Sequence, residues 1–401
     1  MKKYLRIAHR VLGFWCAAIF AVVCATGGVY AFREEIARIV EPERYYVDAQ
    51  VVATQRRLPI DDVIAKVEAE TNARAETILI PGDKRRTYNF LLKELNGRRG
   101  RALLCDVDPF TGEITGRGPN RSYPLVNKAM RRWHTRLNLP KEIGRPLVDF
   151  AMYFSIFLIV SGVALWIPKK WSQLKARLTA KFSAGKRRAV FDLHNALGIY
   201  TAFPLLVLAI TGAALALGAK HGTLATPLRI ERGDSGQDVA NEEINVENAA
   251  TSGATPVALE EILRRDFERS RKTGDVRLRL PVEQNEQAIR IERKSGGCWA
   301  CSAPDVAYWD GVKGTLIAEK KLRDASFDEQ TKVLLREIHF GSAFGLGTKI
   351  IFGVASLAGA ALAFFGIAIW AFRDFAPKGK SRATSGVEVT NEKEMDKTQT
   401  V

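Results

Sequence analysis

Residues 350–372 read IIFGVASLAGAALAFFGIAIWAF, and shortly before them stands Glu337-Ile338-His339-Phe340. The apolar run carries no charge and exceeds the roughly 20 residues that a helix needs to cross a bilayer core. The same arrangement, a histidine ahead of a membrane-length run, occurs four times. His9 precedes Val11–Phe32, His134 precedes Phe150–Ile167, and His194 precedes Ala196–Ala219; the chain has only five histidines in 401 residues. Four spans are therefore expected, with a histidine associated with each.

The basic residues orient these spans. The first run is preceded by Lys2, Lys3, Arg6 and Arg10. The stretch between the second and third runs carries Lys169, Lys170, Lys175, Arg177, Lys181, Lys186, Arg187 and Arg188, and the tail begins with Arg373, followed by Lys378, Lys380 and Arg382. Short basic segments stay cytoplasmic, whereas long loops escape that rule. The expected topology is multi-pass in a bacterial inner membrane, with both termini and the middle loop cytoplasmic and the two long segments periplasmic. The first run, 22 residues long, exceeds the roughly 7–15 of a signal-peptide core and is expected to remain as a helix. The formal net charge of +16 invites a nucleic-acid reading, but its concentration beside apolar runs assigns it to topology; no nucleic-acid partner is expected, and lipid is.

These features divide the chain into an N-terminus with the first span (1–32), a first periplasmic module with an interfacial segment carrying His134 (33–145), and a second span (146–168). A basic loop (169–195) and third span (196–219) follow. A second module with linker and an interfacial segment carrying His339 (220–349), the fourth span (350–372) and a tail expected to be disordered (373–401) complete it. Each module has an α+β pattern. In the first, Pro59–Glu70 has Ile60, Val63, Ile64 and Val67 at helical spacing, and strand-like runs lie at Glu76–Ile80, Thr87–Lys93 and Arg101–Val107. In the second, Asp234–Pro256 reads as a flexible linker, Leu259–Arg269 as a helix, and Val276–Leu280 and Ala288–Glu292 as strands. The turn Asp108-Pro109-Phe110-Thr111-Gly112 has a degenerate counterpart at Asp310-Gly311-Val312-Lys313-Gly314, and His-x-x-Leu-Gly occurs at both His9 and His194. The expected fold is a mainly α membrane protein of four transmembrane helices, arranged as two parallel repeats with α+β periplasmic modules.

The repeat pairs the histidines by depth: His9 with His194 at one face, His134 with His339 at the other. A single histidine near a membrane boundary is ordinarily just hydrogen-bonded; four at recurring positions call for a role. Two imidazoles facing across a pseudo-two-fold axis suit the axial positions of haem b iron, giving two bis-histidine haems per chain. Structural zinc wants four closed ligands, which neither face offers. His221 has no repeat counterpart. Cys298-Trp299-Ala300-Cys301 is expected to be a structural disulfide, with a redox dithiol as the alternative; Cys105 reads as a buried thiol, and Cys16 and Cys24 as small packing residues. No dinucleotide or P-loop glycine motif is present, so any electrons must come from a separate donor such as membrane quinol or a cytoplasmic reductase.

The His-led spans, the turn Val107–Ile114 and the span endings Ser-Gly-Val-Ala-Leu-Trp (161–166) and Phe-Gly-Ile-Ala-Ile-Trp (365–370) closely resemble the PepSY-associated transmembrane family, also called iron-regulated membrane proteins. The resemblance covers about residues 1–375 and implies PepSY-like modules outside the membrane. It implies a haem-dependent, inner-membrane ferric-siderophore (ferric-chelate) reductase that delivers electrons to the periplasm and releases Fe(II), with His9, His134, His194 and His339 as haem ligands. The second module departs from the PepSY pattern at Asp310-Gly311 and Lys313-Gly314. Arg85, Arg86, Arg98, Arg99 and Arg101 are candidates to attract anionic chelates, although a solvated charged face explains them as well. The alternative is a membrane-anchored PepSY module that regulates a periplasmic protease or envelope partner, which needs no chromophore.

Overall fold

The computed structural model describes residues 2–94, 102–220, 257–281, 288–294 and 305–374. Arg98, Arg99, Arg101, His221, the linker expected at Asp234–Pro256, Cys298, Cys301 and the tail beyond residue 374 lie outside the described residues.

The first helix, α1, runs Lys2–Ala31. It begins well before the uncharged run because lysine and arginine are good helix formers whose long stems let their charges reach water. His9 thus lies inside the spanning helix, not ahead of it. Short helices α2 (Arg33–Val40), α3 (Pro42–Tyr45) and α4 (Ala49–Thr54) lead to α5 (Ile60–Thr71) and strands β1 (Ala73–Ile80), β2 (Tyr88–Glu94), β3 (Ala102–Val107) and β4 (Ile114–Arg117). A π-helical segment, Tyr123–Met130, passes directly into α6 (Arg131–Arg136), and α7 (Lys141–Trp166) is the second span. After α8 (Leu174–Leu178), the third spanning helix α9 (Lys186–Lys220) also starts early, which places His194 inside it. Then come α10 (Leu259–Ser270), β5 (Val276–Arg279), β6 (Ala288–Arg293), β7 (Asp305–Asp310), β8 (Leu316–Lys320), α11 (Phe327–His339) and α12 (Leu346–Asp374).

Among the described residues four helices, α1, α7, α9 and α12, are long and apolar enough to cross a membrane. They form a ring in which α1 and α9 each pack against both α7 and α12. Small residues allow close approach: Gly28 of α1 meets Leu357 and the Gly353 carbonyl of α12. Ser356 donates to the Cys24 carbonyl at 2.8 Å. Cys16 and Cys24 are buried within this packing.

The two outer stretches make one eight-stranded antiparallel sheet in the order β4-β3-β2-β1-β5-β6-β7-β8. In both, a helix is followed by a four-strand meander, and the meanders join edge to edge through β1 and β5. There Ile78 pairs with Leu278 and Thr77 with Arg279. Strand alternation sends Ile78, Phe90, Leu92, Leu278 and Ile291 to the face covered by α5 and α10, where they form a continuous core with Val63, Val67 and Ile262. Joining the sheets removes two exposed edges, each a liability in isolation.

The helix starts α5 and α10 meet and exchange caps. The Asp61 carboxylate accepts from the Leu259 and Glu260 amides at 2.8 and 2.9 Å, while Glu260 accepts from the Ile60 amide at 2.9 Å. Each acid thus neutralises the other helix's unsatisfied N–H groups and positive dipole end. The β3–β4 and β7–β8 turns are also built alike. Gly112 and Gly314 take φ of +76° and +63°, and each donates to the aspartate that opens its turn, Asp108 or Asp310, at 2.8 Å.

Candidate functional site: two histidine pairs in the bundle

His134 lies on α6, a short helix that packs on α1 and α7; His339 ends α11, which packs on α9. The two imidazoles meet at the sheet-proximal end of the bundle, with ring centroids 6.2 Å apart and planes inclined by 47°. The sheet-distal end holds His9 of α1, beside Gly162 of α7, and His194 of α9, beside Gly366 of α12.

All four rings are held in the same way. His134 Nδ1 lies 2.8 Å from the Val23 carbonyl, and His194 Nδ1 lies 3.1 Å from the Leu362 carbonyl. A carbonyl only accepts, so these nitrogens carry the proton. His339 Nδ1 is 3.0 Å from Thr211 Oγ1, whose hydroxyl already donates to the Val207 carbonyl. His9 Nδ1 is 2.8 Å from Ser161 Oγ, which donates to the Leu158 carbonyl. These partners assign the Nδ1–H tautomer at every site and leave an Nε2 lone pair, the state in which a neutral imidazole binds a metal. At all four sites the hydrogen bond that holds the ring runs through Nδ1.

The second shared feature is a glycine beside each ring. A Cβ on Gly27 would fall 2.7 Å from His134 Cε1, on Gly212 3.1 Å from His339 Cε1, on Gly162 3.3 Å from His9 Cε1, and on Gly366 3.6 Å from His194 Cε1. Gly27-Gly28, Ser161-Gly162 and Thr211-Gly212 would pass in the sequence for ordinary helix-packing pairs. In each, one glycine instead makes room for an imidazole from another element. Gly366 is the fourth member, detectable only through its position in the matched span ending.

The rim at the sheet-proximal end combines aromatic rings with charged side chains, among them Arg33, which lies 3.4 Å from Glu34. The ring of Phe340, next to His339, has the Arg33 guanidinium 4.9 Å and the Arg336 guanidinium 5.9 Å from its centre, with Tyr30 at 6.1 Å. Nearby, Lys349 bonds Glu35 at 2.8 Å. Of the outer basic candidates, Arg86 is bridged to Tyr46 at the mouth of the β1–β2 loop. The remaining outer cysteine among the described residues, Cys105, is buried in β3, and burial pushes its thiol pKa up, leaving it unreactive. No group of three His, Cys, Asp or Glu that could hold a bare metal ion occurs among the described residues.

A ring of four apolar helices carrying an antiparallel sheet defines a multi-pass membrane protein with imidazole pairs in its bundle. Residues 6–373 match the PepSY-associated TM region family, and the chain belongs to that family. No curated protein sequence matches it.

Proposed function

We propose that this protein is a di-haem inner-membrane reductase that passes electrons across the membrane to a ferric siderophore or similar ferric chelate in the periplasm, releasing Fe(II). The observation that carries this reading is the set of four histidines, each held through Nδ1, two at either end of the bundle, with His134 and His339 in ring contact. An imidazole nitrogen binds a metal at about 2 Å, so two rings on opposite sides of one ion have centres roughly 6 Å apart. The 6.2 Å between His134 and His339 fits that separation. Two protein ligands per site suit a macrocycle that supplies the other four nitrogens, so the donor set fits haem b. His9 with His194, and His134 with His339, would hold the two haems. Haem bound there supplies a one-electron carrier whose potential depends on its axial ligands and burial.

The chain's own residues do the rest. The Nδ1 bonds fix each ring's orientation and raise the basicity of Nε2. The glycines give the imidazoles space, and the apolar helices exclude water. Arg33 and Arg336, grouped on Phe340, offer guanidinium contacts to an anionic chelate near the sheet-proximal pair. Reduction of its iron weakens hard-oxygen coordination and favours release. In this reading the two halves are parallel repeats about an axis along the membrane normal, with PepSY-like modules fused in one periplasmic sheet and cytoplasmic termini. The matching order of elements, the alike turns and the reciprocal caps support it, as do the basic short segments.

The test is reduction of an external ferric chelate by protein in vesicles loaded with an internal reductant. Single His→Ala variants at positions 9, 134, 194 and 339 should each lose one haem and stop transfer. Unchanged rates in all four would refute the proposal.

A further inference from the structure

At the sheet-distal end of the bundle, α1 and α12 form a half-open cavity of about 170 Å³ lined by Arg10, Val11, Phe14, Trp15 and Trp370. At about 30 Å³ per water this is roughly the bulk of one substituted six-membered ring. Phe14 packs on Trp370 at 4.4 Å and on Trp15 at 5.7 Å, which gives the cavity flat aromatic walls. Trp15 is 72% and Val11 47% exposed on the outside of the bundle, so the cavity opens toward lipid. Arg10 is the last charge before the uncharged run that begins at Val11; it places hydrogen-bond donors at one end of an otherwise apolar site. The location is also pointed: Trp370 follows Gly366, the glycine beside His194, by four residues, hence on the same face of α12 and one turn away.

We infer that this cavity is the binding site for a membrane quinol that serves as electron donor. This rests on the reductase reading above, which requires a donor that the chain does not itself carry. The aromatic walls take the quinol ring, Arg10 bonds a ring oxygen, and the isoprenoid tail leaves through the lipid-facing opening. Oxidation of one quinol to quinone releases two electrons and two protons. The electrons reduce two ferric chelates to the ferrous state, and the protons pass to water at the Arg10 end of the helix. The competing occupant is an anionic phospholipid, which needs the cation but gains nothing from flat aromatic walls.

The full-length protein in detergent, photolabelled with a short-chain azido-ubiquinone and mapped by mass spectrometry, reads the site whether or not haem is present. Label on the peptides carrying Phe14–Trp15 or Trp370, displaced by decylubiquinone and not by phosphatidylglycerol, is the expected result. Label scattered over the spans, or displaced equally by phosphatidylglycerol, overturns the inference. Arg10→Gln and Phe14→Ala should each slow haem reduction by decylubiquinol about tenfold or more, the loss expected for one hydrogen bond from a charged donor or one stacking wall. Haem content and reduction by dithionite should be unchanged in both. A haem-replete protein that reduces ferric chelate after dithionite loading yet ignores quinol overturns this inference alone; a colourless protein overturns the reductase reading instead.

Discussion

Replacing Gly27 by alanine is the sharpest test of how the imidazoles are held. The new Cβ would lie 2.7 Å from Cε1 and 2.8 Å from Nδ1 of His134, where ordinary contacts are about 3.5–4.0 Å. The ring must retreat by roughly 1 Å, and overpacking of this kind costs about 1–3 kcal/mol. Retreat also stretches the 2.8 Å bond from Nδ1 to the Val23 carbonyl, worth about 1 kcal/mol. Together this is about 2–4 kcal/mol, or roughly 30- to 1000-fold in affinity for a haem held by that ring. The helix itself should gain, since alanine is favoured over glycine by about 1 kcal/mol within a helix, so general unfolding does not explain a loss. Gly366→Ala is the control: its Cβ would stand 3.6 Å from His194 Cε1, an ordinary contact, and should leave the His9/His194 haem in place. Gly212→Ala and Gly162→Ala, at 3.1 and 3.3 Å, should fall between. The assay is haem per chain by pyridine haemochromogen after purification from haem-replete cells. Equal loss in Gly27→Ala and Gly366→Ala, or full retention in Gly27→Ala, would refute the reasoning.

Three further outcomes follow from the outer sheet. Asp61→Ala removes two bonds to the α10 start and Glu260→Ala removes one to α5; at about 1–2 kcal/mol per lost cap, both should lower the melting temperature, Asp61→Ala by more, and a double mutant that shows simple additivity would contradict the coupling. The buried pair Arg44–Asp106, with Asn89 also donating to Asp106, pins α3 to the sheet. Arg44→Met strands that carboxylate at a cost of about 3–5 kcal/mol and should expose the sheet to limited proteolysis, whereas Arg44→Met with Asp106→Leu should recover much of the resistance. Cys105 should resist iodoacetamide near neutral pH until the chain is unfolded, because the thiol is buried and its pKa raised; rapid labelling of the folded protein would contradict its placement.

Much of this was legible in the sequence because bilayer thickness and the period of strands and helices are strong constraints. The spans, α5, α10 and the strands β1–β3 fall close to the expected residues, and the turns at Asp108 and Asp310 have the same geometry. Depth and the internal repeat together pair His134 with His339, and their rings lie 6.2 Å apart. Other features were hidden for physical reasons. Helix starts ahead of the apolar runs were missed because hydropathy ignores the helix-forming stems of lysine and arginine. The fusion of both outer stretches into one sheet depends on the β1–β5 pairing across about 200 residues, which no local pattern reveals. Asp61 sits in the first turn of α5, yet the amides it accepts from belong to α10. The glycine cradles were invisible because a glycine facing an imidazole and one facing a helix backbone are the same letter. The Phe14–Trp370 cavity wall arises between the first and last spans, far apart in sequence.

The central claim, two bis-histidine haems in the bundle, is tested most directly by the absorption spectrum of the detergent-purified protein, oxidised and then dithionite-reduced, with haem counted per chain. A sharp b-type reduced spectrum at two haems per chain is the expected result. A colourless protein from haem-replete cells would contradict the account and turn attention to the outer sheet as a binding module.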